Sequence, residues 1–214
     1  MTTRTLTGAD RVIAALDQAL RTVLGPHHSA RPRPRAEKDC TASLSDGERR
    51  LAGSMMRVNH SGEVCAQALY QAQALTARSA AVNGAMRAAA AEENDHLSWC
   101  EQRIDALDAR TSFLNPLWYS GSFAIGLAAG LVGDKWNLAF LAETERQVVR
   151  HLEEHLAHLP QNDTESRAVL LEMRDDEAKH ATTAVKSGAA ELPKPLKQLM
   201  GLAASVMTRT AAHL

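Results

Sequence analysis

Glu63 and the run Glu93-Asn94-Asp95-His96 recur further along the chain as Glu145 and Glu177-Ala178-Lys179-His180. Each copy is a lone glutamate, about thirty residues, then Glu-x-x-His, the ligand pattern of a paired-metal carboxylate bundle. Four carboxylates with only two imidazoles form an oxygen-rich set that suits iron or manganese better than zinc or copper. Their four formal negative charges balance two divalent cations. One Glu-x-x-His says little in a chain of 214 residues with 9 histidines. The information lies in the repeat and in where it falls.

If each copy is a helical hairpin, its two halves must present their ligands at the same height, which places the turn near the midpoint of the two glutamates. For Glu145 and Glu177 the midpoint is Gln161, inside the breaker cluster Pro160-Gln161-Asn162-Asp163. For Glu63 and Glu93 it is Arg78, five residues before Asn83-Gly84, where the composition predicts a helix start. Apolar periodicity agrees with the hairpins. Leu138, Leu141, Val148, Leu152 and Leu159 make a seam in which Glu145 stands, and Met86, Leu97, Cys100, Ile104 and Leu107 make another in line with Glu93. Leu170, Met173, Glu177, His180 and Ala184 share a face, as do Met56, Glu63 and Tyr70. A charge on an inward stripe is costly unless paired or metal-bound. The bland alternative, four surface glutamates on helices of misjudged phase, requires the same coincidence four times. Glu92 and Asp176 each precede a preferred ligand and are expected to support the site or sit at the surface. Glu143 lies about 200° around its helix from Glu145 and joins Gln147, Arg150 and Glu154 on a stripe expected to be solvated.

The elements that must position these residues follow from the same pattern. An alanine-rich, aromatic-poor composition (4% Phe, Trp and Tyr) favours an all-α fold. Ser45-Asp46-Gly47-Glu48 is a capping box opening a first bundle helix at about 45–78. The others are expected at about 84–109, 134–159 and 163–187, with a final helix begun by Pro193 and Pro195. Residues 113–133 form 21 consecutive positions without a charge, read as a crossover helix between bundle helices 2 and 3. A transmembrane span there would separate the two halves of the site. The crossover is either wholly buried or turns an outer face carrying Trp118, Tyr119 and Phe123 to a membrane interface or a lipid-substrate entrance. Residues 43–214 make the bundle domain, and 1–42 a short amphipathic helix with a Pro/Arg-rich linker. That helix covers about 10–24, with Val12, Ile13, Leu16, Leu20, Val23 and Leu24 on one side. Residues 25–39 are expected to be extended and mobile, and His27-His28 to bind no metal for want of acidic partners.

A net charge of −1 argues against a nucleic-acid partner, and the start of the chain holds no apolar secretory core. Cys40, Cys65 and Cys100, an odd count without Cys-x-x-Cys, indicate a reducing compartment and buried thiols rather than a zinc ribbon or iron–sulfur cluster. A carboxylate-bridged iron pair can serve hydroxylases, desaturases, ferroxidases or peroxide scavengers, and the ligands alone do not choose among them. The competing readings are a ferroxidase or peroxide-scavenging oxidase and a metal-free helical scaffold.

Longer strings narrow the choice. Arg57-Val58-Asn59-His60-Ser61-Gly62-Glu63-Val64, Glu93-Asn94-Asp95-His96-Leu97, Asn115-Pro116-Leu117-Trp118 and Asp176-Glu177-Ala178-Lys179-His180 together resemble the demethoxyubiquinone hydroxylases, ferritin-like di-iron proteins of ubiquinone biosynthesis. The likeness covers roughly residues 45–210. It implies a ferritin-like four-helix bundle with a crossover helix and an extra C-terminal helix. It also implies two iron ions per chain held by Glu63, Glu93, His96, Glu145, Glu177 and His180, the set reached above from spacing. The implied reaction is hydroxylation of a polyprenylated demethoxybenzoquinol ring with dioxygen, by an enzyme bound peripherally at the cytoplasmic face of the cell inner membrane. Other ubiquinone-biosynthesis proteins are candidate partners. Tyr70 and His151 fall at family-like positions and are expected to support the ligands or pass electrons, unless Tyr70 only fills the core and His151 is an ordinary satisfied polar residue. The last helix would offer Leu196, Leu199, Met200, Leu202, Ala203, Val206 and Met207 to a membrane, with Lys194, Lys197 and Arg209 for anionic headgroups.

Overall fold

A computed structural model of the chain describes residues 8–36 and 43–214, so Cys40 and the side chain of Val12 lie outside the described residues. Among the described residues all regular structure is helical: α1 (Gly8–Leu24), α2 (Asp46–Thr76), α3 (Ala80–Ala106), α4 (Asn115–Val132), α5 (Asp134–His158), α6 (Thr164–Lys186) and α7 (Lys194–Ala211). Helices α2, α3, α5 and α6 form the four-helix bundle, as two hairpins whose helices pack against each other. The crossover α4 lies along α2, while α7 rests on α2 and α5, and α1 on α2 and α4.

Local chemistry sets the boundaries. The capping box is complete: the Ser45 hydroxyl accepts from the Glu48 amide and the Glu48 carboxylate accepts from the Ser45 amide. Helix α3 begins four residues before the expected position of 84, because Ser79 caps it by accepting from the Val82 amide at 3.2 Å. Asn83, read as a start signal, instead donates its side-chain amide to the Ala74 carbonyl and closes the α2–α3 turn. Arg78, the midpoint of Glu63 and Glu93, therefore falls in the turn itself. Asp163 caps α6 through the Ser166 amide. Asp134 accepts from the Arg78 and Ser79 amides, both at 2.9 Å, and ties the start of α5 to the α2–α3 turn. The junction of α4 and α5 is Gly133 at φ 124°, a backbone region that disfavours side chains.

Glycines let α4 approach closely. A Cβ at Gly126 would meet the Leu69 carbonyl oxygen at 2.6 Å, and one at Gly130 would overlap Thr76. These residues, one turn apart, seat the crossover on the α2 backbone. The opposite side of α4 and its approach is open, with Phe113, Leu117, Ile125, Leu131 and Val132 exposed.

The interior is layered. One apolar cluster gathers Met56, Trp99, Cys100, Ile104, Leu152, Leu170 and Met173. A second gathers Ala66, Tyr70, Met86, Leu138, Leu141 and Ala184. Between them, at one height on all four bundle helices, stand the glutamates and histidines of the repeat.

Candidate metal centre

The structure brings all six sequence-predicted ligands together, in two groups that share members. Glu63, Glu93, His96 and Glu177 form one; Glu93, Glu145, Glu177 and His180 form the other. His96 turns its Nδ1 inward, 3.1 Å from Glu93 Oε2, 3.1 Å from Glu177 Oε1 and 3.8 Å from Glu63 Oε2. His180 does the same from the opposite hairpin, its Nδ1 3.2 Å from Glu177 Oε2, 3.6 Å from Glu145 Oε1 and 3.9 Å from Glu93 Oε1. Glu93 and Glu177 thus serve both groups, and Glu63 and Glu145 close the ends. The four carboxylates and His96 are buried, and His180 is half-buried.

Four carboxylates in an apolar sandwich are electrostatically expensive. Burial, then repulsion from Glu177 and Glu63, pushes the Glu93 carboxyl well above the usual range. Burial and Glu177 push Glu145 up to about 8. Burial also opposes charge on Glu177, but hydrogen bonding to His180 and His96 overcomes it and lowers that group to about 2. Burial would lower His180, yet Glu145 and Glu177 raise it to about 11. Glu93 Oε1 and Glu145 Oε2 are buried and accept no hydrogen bond. An unpaired buried carboxylate costs several kcal/mol, so a cluster with two orphaned oxygens fits cations in place of the missing donors. The donor set fits hard, oxygen-preferring metals.

Tyr70 is fully buried and donates its hydroxyl to Glu145 Oε1 at 2.6 Å. His151 is not brought to the cluster. Its ring lies 4.0 Å from that of His155 between centroids, tilted at 56°, and it lines a groove between α5 and α7, with its Nε2 buried and unpartnered. Asp176 supports a ligand directly, its Oδ2 3.3 Å from His96 Nε2. Glu92 is half-buried and reaches His180 Nε2 at 3.2 Å.

Other expectations are corrected. Glu143 is not solvated: α7 covers it, and it is buried beside Gln147, Arg150 and Lys197. The outer face of the crossover is not carried by Tyr119 and Phe123. Both turn beneath α1, stacked at 6.0 Å, and the Tyr119 hydroxyl donates to Gln71, while Trp118 is half-buried. Residues 26–36 are extended as expected but lie hydrogen-bonded along the bundle. His27 does have an acidic partner, Glu101 at 2.7 Å, which His60 approaches from α2 at 3.4 Å. Burial opposes charge on Glu101, but the two imidazoles hold it down to about 2. Of the thiols, Cys100 is buried and Cys65 half-buried. The sequence reading missed a buried clasp in which Gln73 and Asn137 exchange side-chain and main-chain hydrogen bonds between α2 and α5. It has no local signature, since amides on a helix resemble surface residues until the partner helix is placed.

The family model for the ubiquinone biosynthesis protein COQ7 matches residues 50–211. The chain is 56% identical over 209 residues to a 3-demethoxyubiquinol 3-hydroxylase of Nitrosococcus oceani, covering 97% of each chain. It is 58% identical over 202 residues to the protein of that name in Nitrosospira multiformis, covering 94% of this chain and 97% of the relative. A third, from Laribacter hongkongensis, is 55% identical over 205 residues, covering 96% and 99%.

Proposed function

The chain belongs to the family of the ubiquinone biosynthesis protein COQ7, and from that premise we propose that its bundle holds two iron ions serving dioxygen-dependent hydroxylation of a polyprenylated demethoxybenzoquinol. It is an oxidoreductase of ubiquinone biosynthesis. The observation that carries the metal reading is the polar layer itself. Six ligand side chains, buried or half-buried, converge between two apolar clusters, and two of their oxygens, Glu93 Oε1 and Glu145 Oε2, lack a donor. Glu63, Glu93, His96 and Glu177 would hold one ion and Glu93, Glu145, Glu177 and His180 the other. When bound, such an iron pair supplies the two-electron reduction of dioxygen that aromatic hydroxylation requires.

The protein's own residues do the rest. Tyr70 fixes Glu145 Oε1 and leaves Oε2 free to face a cation. Asp176 holds His96 so that Nδ1, not Nε2, points into the cluster. The apolar clusters flank the layer, in which every ligand but the half-buried His180 is buried. The test is hydroxylation of a demethoxyubiquinol by iron-loaded protein under labelled dioxygen, with one labelled atom expected in the new ring hydroxyl. Oxygen taken from water, or ferroxidase turnover alone, overturns the reading.

A polyprenyl quinol stays in the bilayer, so the enzyme must meet it there. No helix of the described residues is long and apolar enough to cross a membrane. Peripheral attachment at the cytoplasmic face of the inner membrane is supported by three helices that leave apolar side chains in solvent. These are Ile13, Leu16 and Leu20 on α1, Leu117, Ile125 and Leu131 on α4, and Leu199, Leu202 and Val206 on α7.

A further inference from the structure

Residues 26–36 form a strap with no helix of its own, and its contacts concentrate on α3 and α6, the two Glu-x-x-His helices. On α3, the His28 carbonyl accepts from Asn94 at 2.7 Å, the His27 carbonyl from Ser98 at 3.1 Å, and the Ala30 amide donates to Asp95 Oδ1 at 2.6 Å. On α6, Arg33 pairs with Glu165 at 2.8 Å, which also accepts from the Ala36 amide at 3.2 Å. Between these anchors stands Arg31. Its Nε donates to Asp95 Oδ2 at 2.8 Å, its Nη1 lies 2.8 Å from Asp176 Oδ2, and its guanidinium covers the Trp99 ring at 4.8 Å. Asp95 and Asp176 are both buried.

The placement of those two aspartates is informative. Asp95 immediately precedes the ligand His96, and Asp176 immediately precedes the ligand Glu177. Asp176 Oδ2 also touches His96 Nε2 at 3.3 Å. One guanidinium fork therefore joins a carboxylate inside the first Glu-x-x-His motif to the one that immediately precedes the second, and it shares the oxygen that orients His96. A planar fork can bridge two carboxylates in a fixed geometry, which an ammonium cannot. Lys179 also reaches Asp176, through Oδ1 at 3.1 Å, but it is largely exposed and is not among the partners of Asp95. Among the described residues His180 has no counterpart of this arrangement, since its Nε2 meets the half-buried Glu92, which bonds to no arginine.

We infer that Arg31 is a positioning residue: through Asp176 it sets the ring of His96, and by spanning Asp95 and Asp176 it holds α3 and α6 at the separation the metal cluster needs. This rests on the di-iron reading above and deepens it. The strap precedes the region matched by the family model, yet the alignment to the Nitrosococcus oceani relative, covering 97% of this chain, extends into it.

The consequence is asymmetric. Anaerobic titration with Fe(II) should show Arg31→Met weakening the ion bound through His96 roughly 10–100-fold, the usual effect of removing a ligand's hydrogen-bonded support, with the His180 ion within about threefold of wild type. Arg31→Lys should recover only part of that loss. Asp176→Asn should reproduce the Arg31→Met loss, and combining the two should add little, because both act through one contact. A strap that merely stabilises the fold would lower the melting temperature of Arg31→Met and Arg31→Lys while leaving both affinities unchanged in the folded protein. That result, or equal weakening of both ions, overturns the inference. Wild-type protein that binds no iron would instead overturn the di-iron reading.

Discussion

Glu145 shows how a single buried side chain can work against the fold and for the site. Its carboxylate lies in the polar layer with Oε1 held by Tyr70 and Oε2 accepting no bond. Replacing Glu145 by Ala should abolish hydroxylation and lower iron content towards one ion per chain, while circular dichroism shows the helices largely retained. Full iron occupancy in a Glu63→Ala/Glu145→Ala double variant would overturn the ligand assignment. The same burial gives the metal-free protein a definite pH dependence. Glu145 is pushed from an ordinary value near 4.5 up to about 8, so its contribution is fully present below the unfolded value and is lost as pH rises through 8. His180, raised to about 11, acts with the same sign across the upper part of that window. Iron binds the deprotonated carboxylates and releases their protons, so the loaded protein escapes this loss. The melting-temperature gap between iron-loaded and metal-free protein should therefore widen from pH 5.5 to pH 8. A constant gap would mean that these groups are not protonated in the metal-free fold. Tyr70→Phe removes one hydrogen bond to Glu145 and little volume. It should leave iron content near wild type but lower turnover, because Glu145 loses its fixed orientation.

At the scale of elements, the crossover helix is held by absence of side chains. Gly126→Leu should drive a branched side chain into the Leu69 carbonyl and Ala72, costing about 1–3 kcal/mol and lowering the melting temperature by several degrees in thermal unfolding. Gly121→Leu, one to two turns earlier where a Cβ meets nothing, should be nearly neutral. Elements were legible in the sequence wherever a single helix carried its own evidence. The Ser45 box, the breaker cluster ending at Asp163 and the seams around Glu93, Glu145 and Glu177 are local patterns, and all appear as helix ends or buried faces. The ligand set was legible because a helical repeat places residues at equal heights without knowledge of the packing. What failed needed a second element. Asn83-Gly84 reads as a helix start, but Ser79 caps first and Asn83 bonds across the turn to Ala74. Glu143 reads as solvated because nothing in its own helix reveals that α7 will cover it. Tyr119 and Phe123 read as outward because the covering helix, α1, comes from beyond the bundle. Arg31 was hidden most deeply, since an arginine in a Pro/Arg-rich stretch looks like linker until Asp95 and Asp176 are brought side by side.

At the scale of the whole molecule, the proposed reaction poses a transport problem that the polar layer cannot solve alone: a polyprenylated quinol has a tail that water does not dissolve. Exposed leucines are ordinary one at a time. Here α1, α4 and α7 each expose several, and the end of α7 adjoins the start of α4, where the Phe113 amide donates to the Leu214 carbonyl at 3.1 Å. Each buried methylene adds about 0.8 kcal/mol to membrane affinity, so a few leucines from three helices suffice for reversible attachment. Basic residues contribute less than their number suggests. Lys197 is half-buried between Glu191 and Glu143, which leaves Lys194 and Arg209 as the exposed cations of α7 for anionic headgroups. The protein should co-sediment with anionic liposomes and be released by detergent more completely than by salt, because apolar contact outweighs charge. Leu117→Asp/Leu131→Asp changes two exposed positions on α4, so folding stability should move by no more than about 0.5 kcal/mol for each. Liposome binding should fall tenfold or more, and turnover of a long-tailed quinol should fall with it. Iron content and turnover of a short-tailed analogue should stay at wild-type levels, since neither needs the bilayer. Equal losses on both quinols would place Leu117 and Leu131 in the support of the metal layer and remove the apolar sides from the route by which the substrate arrives.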